Sequence, residues 1–140
     1  MRKRTRGREL ALKFLYRSDL TSDETDEAFA DFSIDQETLD EVREFAGELV
    51  RGVIADREEL IALIEGSAHN WTWTRMPVVD RTLLLIGAFE LTRREDVPAV
   101  VTINEVVELA KKYSTASSGA FVNGVLDTIE RGRNVGTREE

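Results

Sequence analysis

The stretch VVDRTLLLIGAFELTRR, residues 78–94, constrains this chain more than any other. Val78, Val79, Leu83, Leu84, Leu85, Ile86, Ala88, Phe89 and Leu91 place apolar side chains almost all round a helix. A helix without a polar face has to be central and covered by its neighbours. Pro77 suits its first turn, where a missing N–H leaves nothing unpaired. Arg93 and Arg94 stand at its C-terminal end, where the helix dipole favours cations. The rest of the fold must therefore supply amphipathic elements that wrap this one.

The remaining pattern has helical rather than strand periodicity. A first helix is predicted over about 4–19, with Leu10, Ala11, Phe14 and Leu15 on one face. A second is predicted over 35–52, capped by Asp35 or Ser33, with Leu39, Val42, Phe45, Ala46, Leu49 and Val50 inward. A third, 55–68, would be capped by Asp56 and stop at Gly66. After the central helix, Thr102 and Glu105 have the spacing of a capping box, with Glu108 four residues before Lys112. The last helix starts near Ser117. Residues 21–35, rich in acids and turn formers, read as a solvated loop with a short turn at Phe29 and Phe32. The expected fold is all-α, about six to seven helices in two small bundles. The expected extent is a single helical domain over 1–134, with subdomains 1–70 and 71–134 and a flexible tail at 135–140.

Cysteine is absent, so disulfides, thiolate zinc sites and cysteine nucleophiles are excluded. The single His69 has no second histidine with which to share a metal. GELVRGV at 47–53 has phosphate-loop spacing but no lysine, and it falls inside a predicted helix. Glu90 is the one carboxylate on the apolar helix, and a structural hydrogen bond or ion pair explains it better than catalysis. Neither an enzyme activity nor a cofactor or metal is expected. The longest apolar run, LLLIGAF at 83–89, is too short to span a bilayer. No apolar core of a signal peptide follows the basic start, so the expected location is cytoplasmic, away from membranes.

The charge is unevenly distributed. The chain carries −8 in total, yet residues 1–17 carry +6 and residues 19–65 carry −13. Such asymmetry suits one surface to a polyanion. On the helical projection of residues 2–17, Arg2, Arg6, Lys13 and Arg17 share a flank with Glu9 and Tyr16. Cations for phosphates and an aromatic ring for an unstacked base are what RNA binding uses. A solvated basic terminus, with the Tyr16 ring leaning over Leu12, explains the same residues, and composition alone leaves both readings open.

Several blocks together resemble the NusB family of bacterial transcription antitermination factors. They are RGRELALKFLY at the front, DRTLLLIGAFEL and DVPAVVTINEVVELAKKYS in the middle, and SGAFVNGVLD near the end. The resemblance implies two packed helical bundles. It implies binding to boxA-type single-stranded RNA of ribosomal RNA leader transcripts. The implied partners are a NusE-type ribosomal small-subunit protein and the RNA polymerase antitermination complex. Carried over by position, the RNA side includes Arg4, Arg6, Arg8 and Tyr16, with Ser117 and Phe121 from the last helix. Arg2 and Lys3 belong to the same basic opening, and Lys111 and Lys112 are further candidates for phosphate contacts. Phe121 is apolar enough to serve the core instead. Three departures stand out. Leu85 replaces an arginine common in the family, the tip KKYSTASSG is rather neutral, and the 23–44 segment is unusually acidic. That segment either adds solubility or competes with RNA for the basic arm. NusB-like domains also occur fused to RNA cytosine methyltransferases, but the expected nucleophilic cysteine is missing here. Some family members self-associate, so a homodimer or protein-only interaction module is the alternative function.

Overall fold

The computed structural model describes the backbone of residues 2–139 and side chains through residue 133. Seven α-helices account for most of it: α1 Lys3–Thr21, α2 Asp26–Gln36, α3 Asp40–Ala55, α4 Arg57–Ser67, α5 Val78–Arg93, α6 Ala99–Tyr113 and α7 Ala116–Glu139. A single 3-10 turn, Trp73–Arg75, lies between α4 and α5, and no strand occurs among the described residues. The all-α expectation holds. The helices form two compact units, Met1–Ala55 and Asp56–Glu140.

In the first unit, α1 packs mainly on α3, and α2 lies against both. Ala11, Phe14 and Leu15 of α1 and Val42, Ala46, Leu49 and Val53 of α3 are all buried. Gly7 lets the two helices close: a Cβ there would stand 2.6 Å from Cδ2 of Phe45. α1 ends at Ser22, whose φ of 60° turns the chain while its N–H bonds the Ser18 carbonyl at 2.8 Å.

The expected loop at 21–35 is instead largely the helix α2. Thr25 caps it, its hydroxyl accepting from the Ala28 N–H at 3.1 Å. Asp26 and Glu27 in the first turn favour the positive end of the helix dipole. Phe29 and Phe32 then reach Phe14 of α1, with ring centroids 5.2 Å and 5.7 Å away. Two aromatic anchors outweigh the poor intrinsic preference of an acidic segment. α3 starts at Asp40, later than expected, and Leu39 remains 41% exposed before it.

In the second unit, α5 is the central element, as its sequence requires. Leu83, Leu84, Ile86 and Ala88 have no exposed surface, and α4, α6 and α7 all pack on it. The expected division near residue 70 falls instead at Ala55, because Leu60 and Ile64 of α4 are buried in contact with α5 and α7. Asp56 does not cap α4 with its side chain. Its carboxylate accepts from Arg93 at 3.1 Å, and Glu59 accepts from the same guanidinium at 2.9 Å. The predicted capping box also fails. α6 begins at Ala99, four residues before the start that a Thr102 cap implies, so Thr102 lies within it. Thr102 is fully buried and donates its hydroxyl to Glu90 Oε1 at 3.1 Å. That bond partly satisfies a carboxylate that is itself completely buried. Lys111 pairs with Glu108 at 3.5 Å. The backbone of α7 continues through Glu139 where a tail was expected, while the side chains of 134–139 and all of residue 140 lie outside the described residues.

Candidate nucleic-acid interface

α1 carries one set of candidate residues. Its buried arc leaves Arg2, Lys13, Tyr16 and Arg17 exposed, with Arg6 and Glu9 half-buried along the same flank. Tyr16 is 41% exposed. The N-terminal turn has no acidic residue and no side-chain cap, yet it holds Lys3, Arg4 and Arg6. Cations at the positive end of a helix dipole oppose helix formation by about 0.3–1 kcal/mol each. The same turn attracts an anion.

The cations there are not equivalent. Lys3 Nζ lies 3.0 Å from Glu41 Oε2, with both groups well exposed. Arg6 grips the Glu37 carboxylate with two nitrogens, Nε at 3.1 Å from Oε2 and Nη2 on Oε1. The Arg6 hydrogen bond, helped by the Leu39 N–H, holds the Glu37 carboxyl below its usual range. Acids of the 23–44 segment thus engage the basic arm directly. Arg4 is exposed, with its guanidinium 4.9 Å from the Phe45 ring centroid. Arg8 departs from expectation. It is only 1% exposed, and its guanidinium lies 5.4 Å from the same centroid. The family position assumed a solvent-facing side chain, whereas here it is buried beside Phe45 of α3. Beside Arg6, a shallow depression is lined by Glu9, Leu10, Lys13, Gln36 and Glu37.

The second unit carries candidate residues of its own. Lys111 and Lys112, both exposed, end α6 where cations suit the dipole. Lys112 Nζ lies 5.3 Å from the Tyr113 ring centroid. Thr115 starts α7, its hydroxyl accepting from the Ser118 N–H at 3.0 Å. Ser117 and Phe121 then follow one turn apart on one helix face. Ser117 is exposed, and Phe121 is half-buried, its ring centroid 5.4 Å from that of Trp71. Phe121 therefore belongs wholly to neither the core nor the surface. Leu85, standing where many relatives carry arginine, is buried.

Asp80 was not anticipated. It lies in the first turn of α5, 2% exposed, and its Oδ1 has no hydrogen-bond partner among the described residues. Burial raises its pKa, while hydrogen bonds from Ser118 and Ser114 oppose the rise. A raised folded-state pKa contributes stability that is full below the ordinary value of 3.8 and is lost as pH rises through the shifted value. Asp80→Asn removes the buried charge and keeps an acceptor for the two serines. We expect it to raise Tm at pH 7 by roughly 2–4 °C, the size that about 1 kcal/mol produces. The advantage should shrink toward pH 4, as melting curves of both proteins across that range would show. A constant offset would mean that the carboxyl titrates normally.

The chain is an all-helical protein in two units that presents cations and aromatic rings on exposed helix positions. The NusB family model matches residues 5–131. The chain belongs to the NusB family. It is 48% identical to the transcription antitermination protein NusB of Anaeromyxobacter sp. (strain Fw109-5), over 93% of this chain and 91% of that protein. It is 41% identical to NusB of Desulforapulum autotrophicum, covering 98% and 97% of the two chains. Among solved structures, it resembles NusB in a crystal structure of antitermination factors NusB and NusE with double-stranded RNA. There the TM-score is 0.85 at 30% identity, over 94% of this chain and 98% of that one. The solution structure of NusB from Aquifex aeolicus gives 0.82 at 30% identity, over 100% and 95%.

Proposed function

We propose that the protein is a non-enzymatic antitermination factor that binds boxA-type single-stranded RNA of ribosomal RNA leader transcripts. It does so together with a NusE-type ribosomal protein, as part of an RNA polymerase antitermination complex. The observation that carries this reading is the exposed Tyr16 ring within the cationic flank of α1. The cations hold phosphates, and the ring accepts an unstacked base. Arg2, Lys3, Arg4 and Arg6 are the phosphate ligands on α1, with Lys111 and Lys112 contributing from α6. Ser117 and Phe121 are the contacts on α7. Arg8 supports the site from within by holding Phe45. The relative crystallised with NusE and double-stranded RNA supports a NusE-type protein and RNA as classes of partner.

Anisotropy titrations of an end-labelled boxA-type RNA at several salt concentrations test this. Replacing Arg2, Arg4 and Arg6 together with alanine is expected to reduce the salt slope by about 2, because each lost single-strand phosphate contact removes about 0.7. Tyr16→Ala is expected to weaken binding by at least about fivefold. An unchanged slope would remove α1 from the interface. The alternative is a self-associating module, to which exposed Leu20 and Ile34 could contribute. A dimer that light scattering shows dissociating as RNA binds would place self-association on the RNA surface.

A further inference from the structure

We propose that Trp71 and Phe121 together form a two-ring platform for consecutive unpaired nucleobases, which makes Trp71 an RNA-contacting residue. The inference rests on the RNA-binding reading above, and it concerns a residue outside the family's closing block. Trp71 lies in the connection between α4 and α5 and keeps 45% of its surface exposed. Its ring centroid is 5.4 Å from that of Phe121, with the planes tilted by 55°. Two rings at that separation support each other, and the exposed part of the indole is available to a base.

The segment that carries the indole is held by hydrogen bonds of its backbone. The Trp71 N–H bonds the Ala68 carbonyl at 3.3 Å, and Asn70 before it turns the chain at a φ of 68°. The Trp73 N–H bonds the Glu65 carboxylate at 3.0 Å. Met76 anchors the far end, 3% exposed and bonded through its N–H to the Trp73 carbonyl at 3.2 Å. A fixed backbone, with Phe121 against the indole, lowers the freedom lost when a base stacks on the ring.

Cations on the adjoining elements suit a polyanion. The Arg81 guanidinium lies 5.6 Å from the Trp73 ring centroid, and no acid among the described residues pairs with it. Ser117 stands one turn before Phe121, and Lys111 and Lys112 end the preceding helix. Aromatic faces beside cations select unpaired bases with their phosphates, because a duplex keeps its bases stacked internally.

Trp71 and Trp73 are the two tryptophans of the chain, so a Trp73→Phe variant reports Trp71 emission alone. An end-labelled single-stranded boxA-type RNA serves as the probe. Quenching of Trp71 is expected along the same isotherm as the anisotropy of the labelled RNA. In the wild-type background, Trp71→Ala is expected to weaken binding roughly 5- to 150-fold. Trp71→Phe should restore most of that loss, with circular dichroism confirming that each variant folds. If RNA binds while Trp71 emission stays constant, the platform is overturned and the α1 site stands. The same conclusion follows if Trp71→Ala binds within about twofold of wild type while Tyr16→Ala still loses affinity. Failure of the wild-type protein to bind RNA would overturn both readings.

Discussion

Phe14→Ala is expected to destabilise the first unit by about 3–5 kcal/mol, the usual cost of emptying a buried aromatic site. Phe14 is 2% exposed on the inner face of α1. It meets Phe29 edge-on, the planes at 85°, and Phe32 at a tilt of 54°. Those two contacts seat α2, a short acidic helix with little stability of its own. The substitution leaves a cavity and also removes the anchor of a whole element. Urea unfolding followed by circular dichroism should show the lost free energy, and hydrogen exchange should show α2 losing protection first. Unchanged α2 protection would mean that other contacts hold it.

Gly87→Ala is expected to cost about 1–3 kcal/mol, although alanine is the better helix former. A Cβ at that position would stand 2.8 Å from both Cδ1 and Cδ2 of Leu126. Leu126 has no exposed surface, so it cannot swing away into solvent. The two variants Gly87→Ala and Leu126→Ala should therefore couple. Their double mutant is expected to be more stable than the sum of the separate losses predicts, by about 0.5–3 kcal/mol. Strict additivity in thermal unfolding would show that α5 and α7 absorb the methyl group by moving apart.

The sequence made the central helix readable because an element apolar on every side has one possible place. The same was true of the inner face of α1. What it concealed were contacts made between distant segments. Residues 21–35 looked like a loop because acids dominated the composition. The Thr25 cap and the spacing of Phe29 and Phe32 were present but outweighed. The box at Thr102 and Glu105 was a correct pattern in the wrong place, since the helix had already begun and Thr102 was needed by Glu90. For the candidate site, the exposed flank of α1 was legible from periodicity. The loss of Arg8 to Phe45, the pairing of Arg6 with Glu37 and the contact of Trp71 with Phe121 were not. Each depends on a partner that periodicity along one helix cannot reveal.

The position of the boundary at Ala55 also sets a timetable for synthesis. Chains emerge N-terminus first, at about 5–20 residues per second. α1, α2 and α3 have their mutual partners as soon as Ala55 has left the ribosome. α4 emerges next with Leu60 and Ile64 uncovered, and its principal partners, α5 and α7, are still to come. The nascent protein therefore passes through an interval in which a finished basic helix is already on display while a greasy one waits for cover. During that interval the newborn chain has its basic arm before it has its second core, and the apolar side of α4 stays uncovered until α5 and α7 arrive.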